Sequence, residues 1–159
     1  MGDSKIAKIP YDERTDDQKL ASNWKKAAGQ FEREEWSASV VRVATSAEIS
    51  ANIYIRHFLI DRYALPSSYV DELLFSANGL EGKFNKLVRP AAQHLGTWND
   101  LRRLKTSKIE VLHKHRNGVV HAGKFKSKAD AKSAFALSLA IITALAPDQA
   151  VHLRLPYEG

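Results

Sequence analysis

Residues 35–63 read EWSASVVRVATSAEISANIYIRHFLIDRY, and this stretch decides the fold. Trp36, Val40, Val43, Ala44, Ala47, Ala51, Tyr54, Ile55, Phe58 and Leu59 recur at three- and four-residue intervals, the spacing of one face of an α-helix. The stripe is wide. A helix apolar over that much of its circumference is expected at the centre of a bundle, with neighbours on more than one side. Pro66 should end it, because proline has no N–H for the helical ladder. One polar row interrupts the apolar faces: Thr45, Glu48, Asn52 and Arg56 follow each other at helical spacing. A carboxylate beside a core needs a partner, since an unpaired buried charge is costly.

Outward from this helix the chain remains helical in pattern. Thr15 or Asp16 can cap a preceding helix over Gln18–Arg33, which places Leu20, Trp24, Ala27, Ala28 and Phe31 on one face. Downstream, Ser67 or Ser68 is suited to cap a short helix through Val70–Phe75, and Asn78-Gly79 to turn the chain. Lys83–Leu95 reads as a segment interrupted at Pro90. Thr97 can cap Trp98–His115, and an Ala-rich helix over Lys128–Leu145 closes at Pro147. Val151–Leu155 fits either a short strand or an extended tail. No repeat, linker or low-complexity tract divides the chain, so its 159 residues should form one all-α domain. The expectation is a single bundle of about five helices with its core at about 16–146 and peripheral segments at 1–15 and 147–159.

Composition narrows the function. The absence of cysteine rules out disulfide frameworks, CxxC redox sites and cysteine-based zinc sites. No apolar run approaches the roughly 18 residues of a transmembrane helix. Met1–Asp17 lacks the apolar core of a signal peptide, and Ile6 stands where a myristoylation signal at Gly2 would need Ser or Thr. A soluble, cytoplasmic protein without a membrane partner is expected. The net charge of +6 is uneven: residues 83–132 hold thirteen Lys and Arg against three Asp and Glu, whereas the rest holds eleven against fifteen. A basic half of this kind suits a polyanion such as nucleic acid, or else a solvated helix face.

The chemistry concentrates in His113–Gly123, HKHRNGVVHAG. Arg116 offers a planar, permanently charged fork for phosphate oxygens. Asn117 can donate a neutral hydrogen bond to the same group or hold a neighbour. His121 carries the side chain whose ordinary pKa permits proton transfer near neutrality. One turn of helix would put Asn117 and His121 on a common face, and Asn117-Gly118 could break the helix. The same residues could also form no more than a capped turn with an exposed histidine. A metal site built from His113, His115 and His121 with Glu48 is the rival chemistry. It is poorly built, because residues two apart on a helix point about 200° apart. His57, His94 and His152 have no discernible partners in the sequence.

Arg116-Asn117-Gly118-Val119-Val120-His121 resembles the Arg-Asn-x-x-x-His signature of the HEPN superfamily. In that family the signature precedes the last long, Ala-rich helix of a four- or five-helix bundle. Here Ala129–Leu145 follows it directly. An earlier family helix often carries an acidic residue directed at the signature, and Glu48 with Asn52 one turn on is similar. The resemblance spans roughly residues 16–146. It implies a metal-independent endoribonuclease with no cofactor, in which the ribose 2′-OH attacks the adjacent phosphate to leave 2′,3′-cyclic phosphate and 5′-OH ends. By that resemblance His121 would serve as acid or base, Arg116 would stabilise the phosphorane, Asn117 would position it, and Glu48 would orient Arg116. Asn52, Lys124, Lys126 and Lys128 would bind RNA. The family's cleft joins two signatures and this chain has one, which implies a homodimer with a composite site. Some relatives act in defence or pair with an antitoxin or other regulatory partner, and others are non-catalytic binding or interaction modules. The paired toxins commonly carry Tyr two residues after the histidine, where this chain has Gly123.

Overall fold

The computed structural model describes residues 8–158; the readings at Gly2 and Ile6 lie outside them. Helix α1 (Asp16–Glu32) starts at a reciprocal cap: Thr15 Oγ1 accepts from the Gln18 N–H at 3.2 Å, and Gln18 Oε1 accepts from the Thr15 N–H at 3.0 Å. These bonds satisfy two donors that a helix start leaves unpaired. Leu20, Trp24, Ala27 and Phe31 of α1 turn inward, as their spacing requires.

The central helix is α2 (Trp36–Arg56), prolonged by a wide π-helical segment His57–Arg62. Its buried side chains are largely small: Ser39, Ala44, Ser46, Ala47, Ser50 and Ala51 have almost no exposed surface. They let α1 and α8 (Lys128–Leu145) pack closely on two sides of α2. The three serines do not leave hydroxyls orphaned, since they donate to the carbonyls of Trp36, Leu20 and Ala47 respectively. Ala64, at φ 53°, ends the rod just before Pro66.

The remaining helices are α3 (Ser67–Ser76), α4 (Gly79–Lys83), α5 (Arg89–Leu95), α6 (Trp98–Leu104), α7 (Glu110–Val120) and α9 (Pro147–Ala150). Wide-turn segments Phe84–Val88 and Lys105–Ile109 fuse α4 to α5 and α6 to α7. Counted as continuous rods, the described residues form seven helices rather than about five, and no strand. Pro90 interrupts nothing. It sits in the first turn of α5, directly after the widened turn, where a missing N–H is tolerated. Neither Ser67, Ser68 nor Thr97 caps by its side chain. Ser127 does, in a second reciprocal cap with Asp130.

Trp24, Phe31, Trp36, Phe135 and Tyr157 interlock in edge-on and tilted pairs, with centroids 4.9–5.7 Å apart. Tyr157 belongs to the C-terminal tail, which folds back over α1 without forming a strand. The Trp24 indole N–H donates to the Arg154 carbonyl at 2.9 Å, and the Tyr157 hydroxyl to the Lys132 carbonyl at 3.2 Å. Among the described residues no helix is long and apolar enough to cross a membrane.

Candidate functional site

Helix α7 carries the Arg116–His121 segment, and its register determines where each side chain goes. Ile109 and Leu112 are buried; Arg116 and Val119 continue the same inward stripe. Arg116 is therefore half-buried and lines a small cavity of about 60 Å³ together with Glu48, Asn78, Glu81 and His113. Gly118 does not break the helix, which runs on through Val120.

Glu48 and Arg116 share this cavity, but they are not paired. The Glu48 carboxylate accepts from the Lys83 ammonium at 2.9 Å. Arg116 has no ion pair among the described residues. The expectation that Glu48 bonds Arg116 is thus corrected: the partner is Lys83, whose ammonium α4 brings over α2 with only 8% of the residue exposed. Lys83 is legible in one respect. Leu80, Phe84, Leu87 and Val88 set an apolar stripe on which Lys83 also lies, and a lysine on such a stripe needs a carboxylate. The rest of the polar row of α2 divides its tasks. Arg56 pairs with Asp16 at 2.6 Å and Asp71 at 2.7 Å. Asn52 does not line the Arg116 cavity, and its Oδ1 is buried without a partner.

At the rim of the same cavity the Asn117 amide donates to His113 Nε2 at 2.7 Å, and the same nitrogen lies 3.9 Å from Glu81 Oε2. The sequence reading does not anticipate this role for His113; the i, i+4 spacing to Asn117 is the signal that could have found it. His121 caps the helix, its N–H donating to the Asn117 carbonyl at 2.9 Å, and is exposed. Five residues of helix turn about 140°, so Arg116 faces the bundle while His121 faces solvent.

The chain then curls back. The Lys124 N–H donates to the Gly118 carbonyl at 2.9 Å, and the Lys126 N–H to Ser37 Oγ at 2.9 Å. Lys126 Nζ lies 3.3 Å from where a β-carbon on Gly118 would stand, so the bare glycine makes room for a cation beside the signature. Lys128 instead lies over the Trp36 ring at 6.0 Å. Among the described residues no group of three or more His, Asp or Glu side chains converges as a metal ion would require.

His115 is half-buried and lies within the fields of Lys126 and Asp130. Burial pushes its imidazole below the ordinary histidine value; the Lys126 charge adds to this, and Asp130 opposes it. The unfolded chain then binds the proton more readily, so stability is expected to fall as pH drops through and below about 6.5 and to level off beneath the folded value. Thermal melts of the wild type and His115→Gln over that range check it, the variant showing the flatter profile.

Comparison with protein-family models, curated proteins and solved structures finds no match to this chain.

Proposed function

We propose that the protein is a metal-independent endoribonuclease of HEPN type, acting on RNA as a homodimer. The observation that carries this reading is where the Arg116–His121 segment lies: it ends α7 ahead of the long helix α8, with Arg116 lining a cavity that Glu48 also lines, His121 exposed, and Lys124 and Lys126 beside Gly118. His121 takes the proton from the ribose 2′-OH or returns one to the departing 5′-oxygen. The 2′-oxygen forms the new bond to phosphorus as the bond to the 5′-oxygen breaks, giving a 2′,3′-cyclic phosphate. Arg116 neutralises charge building on the phosphate oxygens, and Lys124 and Lys126 hold flanking phosphates.

The divergence of Arg116 and His121 within a chain supports a composite site in which a second copy supplies the missing member. Val120, 46% exposed, and Phe125, 96% exposed, precede and follow His121 in the chain and offer apolar surface for that copy. Light scattering at tens of micromolar (roughly the range of weak interfaces) is expected to give twice the chain mass. A monomer would count against the composite site. The reaction itself is tested with labelled RNA in EDTA: cleavage should persist, and the products should carry 2′,3′-cyclic phosphate. A requirement for Mg²⁺ or Mn²⁺ would overturn the mechanism.

One observation favours the non-catalytic alternative, a module that binds nucleic acid or protein. Asn117 is already engaged by His113, and Arg116 faces inward, as residues with structural duties would. RNA binding without cleavage under any condition would support it. The defence or toxin–antitoxin setting comes from the resemblance and a cytoplasmic location from the composition, and both are part of the proposal.

A further inference from the structure

A cationic groove lies outside the basic half of the sequence. Along α1, Gln18, Ser22, Lys25, Lys26, Gly29 and Arg33 succeed one another at helical spacing and form one wall of an open groove of about 950 Å³. Arg42 of α2, with Lys8 and Arg14 from the segment before α1, completes the cationic lining. Among the described residues six cations line this groove and no carboxylate does. It shares no residue with the cavity at Arg116.

The charges are largely uncancelled. Among the described residues Arg33 alone of these has an ion pair, with Glu35 at 3.0 Å, and both are exposed. Arg14 donates to the Ile9 carbonyl at 2.9 Å and to Ser22 Oγ at 3.2 Å, while Arg42 donates to Asn23 Oδ1 at 3.3 Å. Those neutral acceptors fix the two guanidinium groups without removing their charge. Lys8, Lys25 and Lys26 have no ion pair among the described residues. Gly29 contributes by omission: a β-carbon there would come within 3.3 Å of Arg33 Nη1, so the bare turn lets Arg33 lie back along the wall.

The shape selects among anions. Gln18 to Arg33 spans roughly 22 Å at the rise of an α-helix, with cations at the middle and toward both ends. A single phosphate would use one or two of them, whereas a chain of regularly spaced phosphates can use most. No aromatic side chain lines the groove, so there is no platform for stacking bases and contact would be with the backbone, independent of sequence.

We propose that the α1 groove binds the phosphate backbone of a nucleic acid strand, at a site separate from the Arg116–His121 segment. The groove holds the strand whether or not the signature cuts it.

The test is a fluorescence anisotropy titration of the full chain with fluorescein-labelled oligothymidylate, which lacks a 2′-OH and cannot be cleaved by the proposed chemistry. Lys25→Ala/Lys26→Ala should weaken binding by about tenfold and make the log–log salt dependence shallower by about 1.4, roughly 0.7 for each phosphate left without its lysine. Both lysines are exposed, so the fold should persist, as circular dichroism can verify. Arg102→Ala/Arg103→Ala removes the same charge from an exposed stretch of α6 and should have a smaller effect. The proposal is overturned by unchanged affinity and salt slope in the Lys25/Lys26 variant, by an equal loss in the Arg102/Arg103 variant, or by binding of inorganic tripolyphosphate without binding of the strand. Strand binding that follows Lys25 and Lys26 while RNA is never cut would instead overturn the nuclease reading alone.

Discussion

His121→Ala and Arg116→Ala are each expected to lower the RNA cleavage rate by at least about 10²-fold, with folding preserved in both. On the proposed mechanism, removing the imidazole removes the group that moves the proton, while the nearby His113 is engaged with Asn117 and His115 is half-buried. Removing Arg116 deprives the forming phosphorane of its counter-charge. The Glu48–Lys83 pair makes the second variant informative. Because Glu48 is already neutralised by Lys83, Arg116→Ala leaves no carboxylate stranded beside the core, so lost activity can be read as chemistry rather than unfolding. Single-turnover cleavage at saturating RNA, alongside circular dichroism, checks both variants. Lys126→Ala should behave differently, raising the RNA concentration needed while leaving the saturated rate near that of the wild type. Unchanged cleavage in His121→Ala would sink the mechanism.

The residues differ in how far their roles can be read before the structure is seen. The helix over residues 35–63 is legible because its apolar stripe is long and regular, and tertiary packing only reinforces what the spacing dictates. The caps are legible where two residues act reciprocally, as at Thr15 with Gln18 and Ser127 with Asp130. They are misread where a lone Ser or Thr is available but the chain before it is fixed by Pro66 or by the left-handed Gly96. The fused rods are not legible. Pro90 and Asn117-Gly118 are local signals for a break, and the packing of neighbours overrides both; at Pro90 a widened turn accommodates the missing N–H. The α1 groove escapes a count along the chain because Arg42 reaches it from another helix, and because acidic residues on other faces of α1 cancel its charge in the sum. At the signature, spacing gives the inward turn of Arg116 through Leu112, but the partner of Glu48 depends on how α4 crosses α2.

That crossing yields the second large expected effect. Lys83→Ala should lower stability by about 2–3 kcal/mol, because it leaves the Glu48 carboxylate uncompensated in a site where water reaches only part of it. The Glu48 side chain is 30% exposed and that of Lys83 10%, which places the loss below that of a fully buried pair. In a chain of this length the melting midpoint should fall by roughly 5–10 °C. Replacing both partners with apolar residues of similar size, Glu48→Leu/Lys83→Met, should recover most of the loss, since no charge is then left without a partner. The double-mutant cycle built from these variants gives the coupling directly. Glu48→Gln separates the duties of the carboxylate. Its amide oxygen can still accept from Lys83, so a modest drop in melting temperature with near-normal cleavage would assign Glu48 to holding α4 on α2. A stable Glu48→Gln variant whose cleavage falls tenfold or more, with RNA affinity and solubility unchanged, would assign it to orienting Arg116. The 2.9 Å Lys83–Glu48 contact favours the first result, because a carboxylate already committed to an ammonium has less charge to offer a guanidinium across the same cavity.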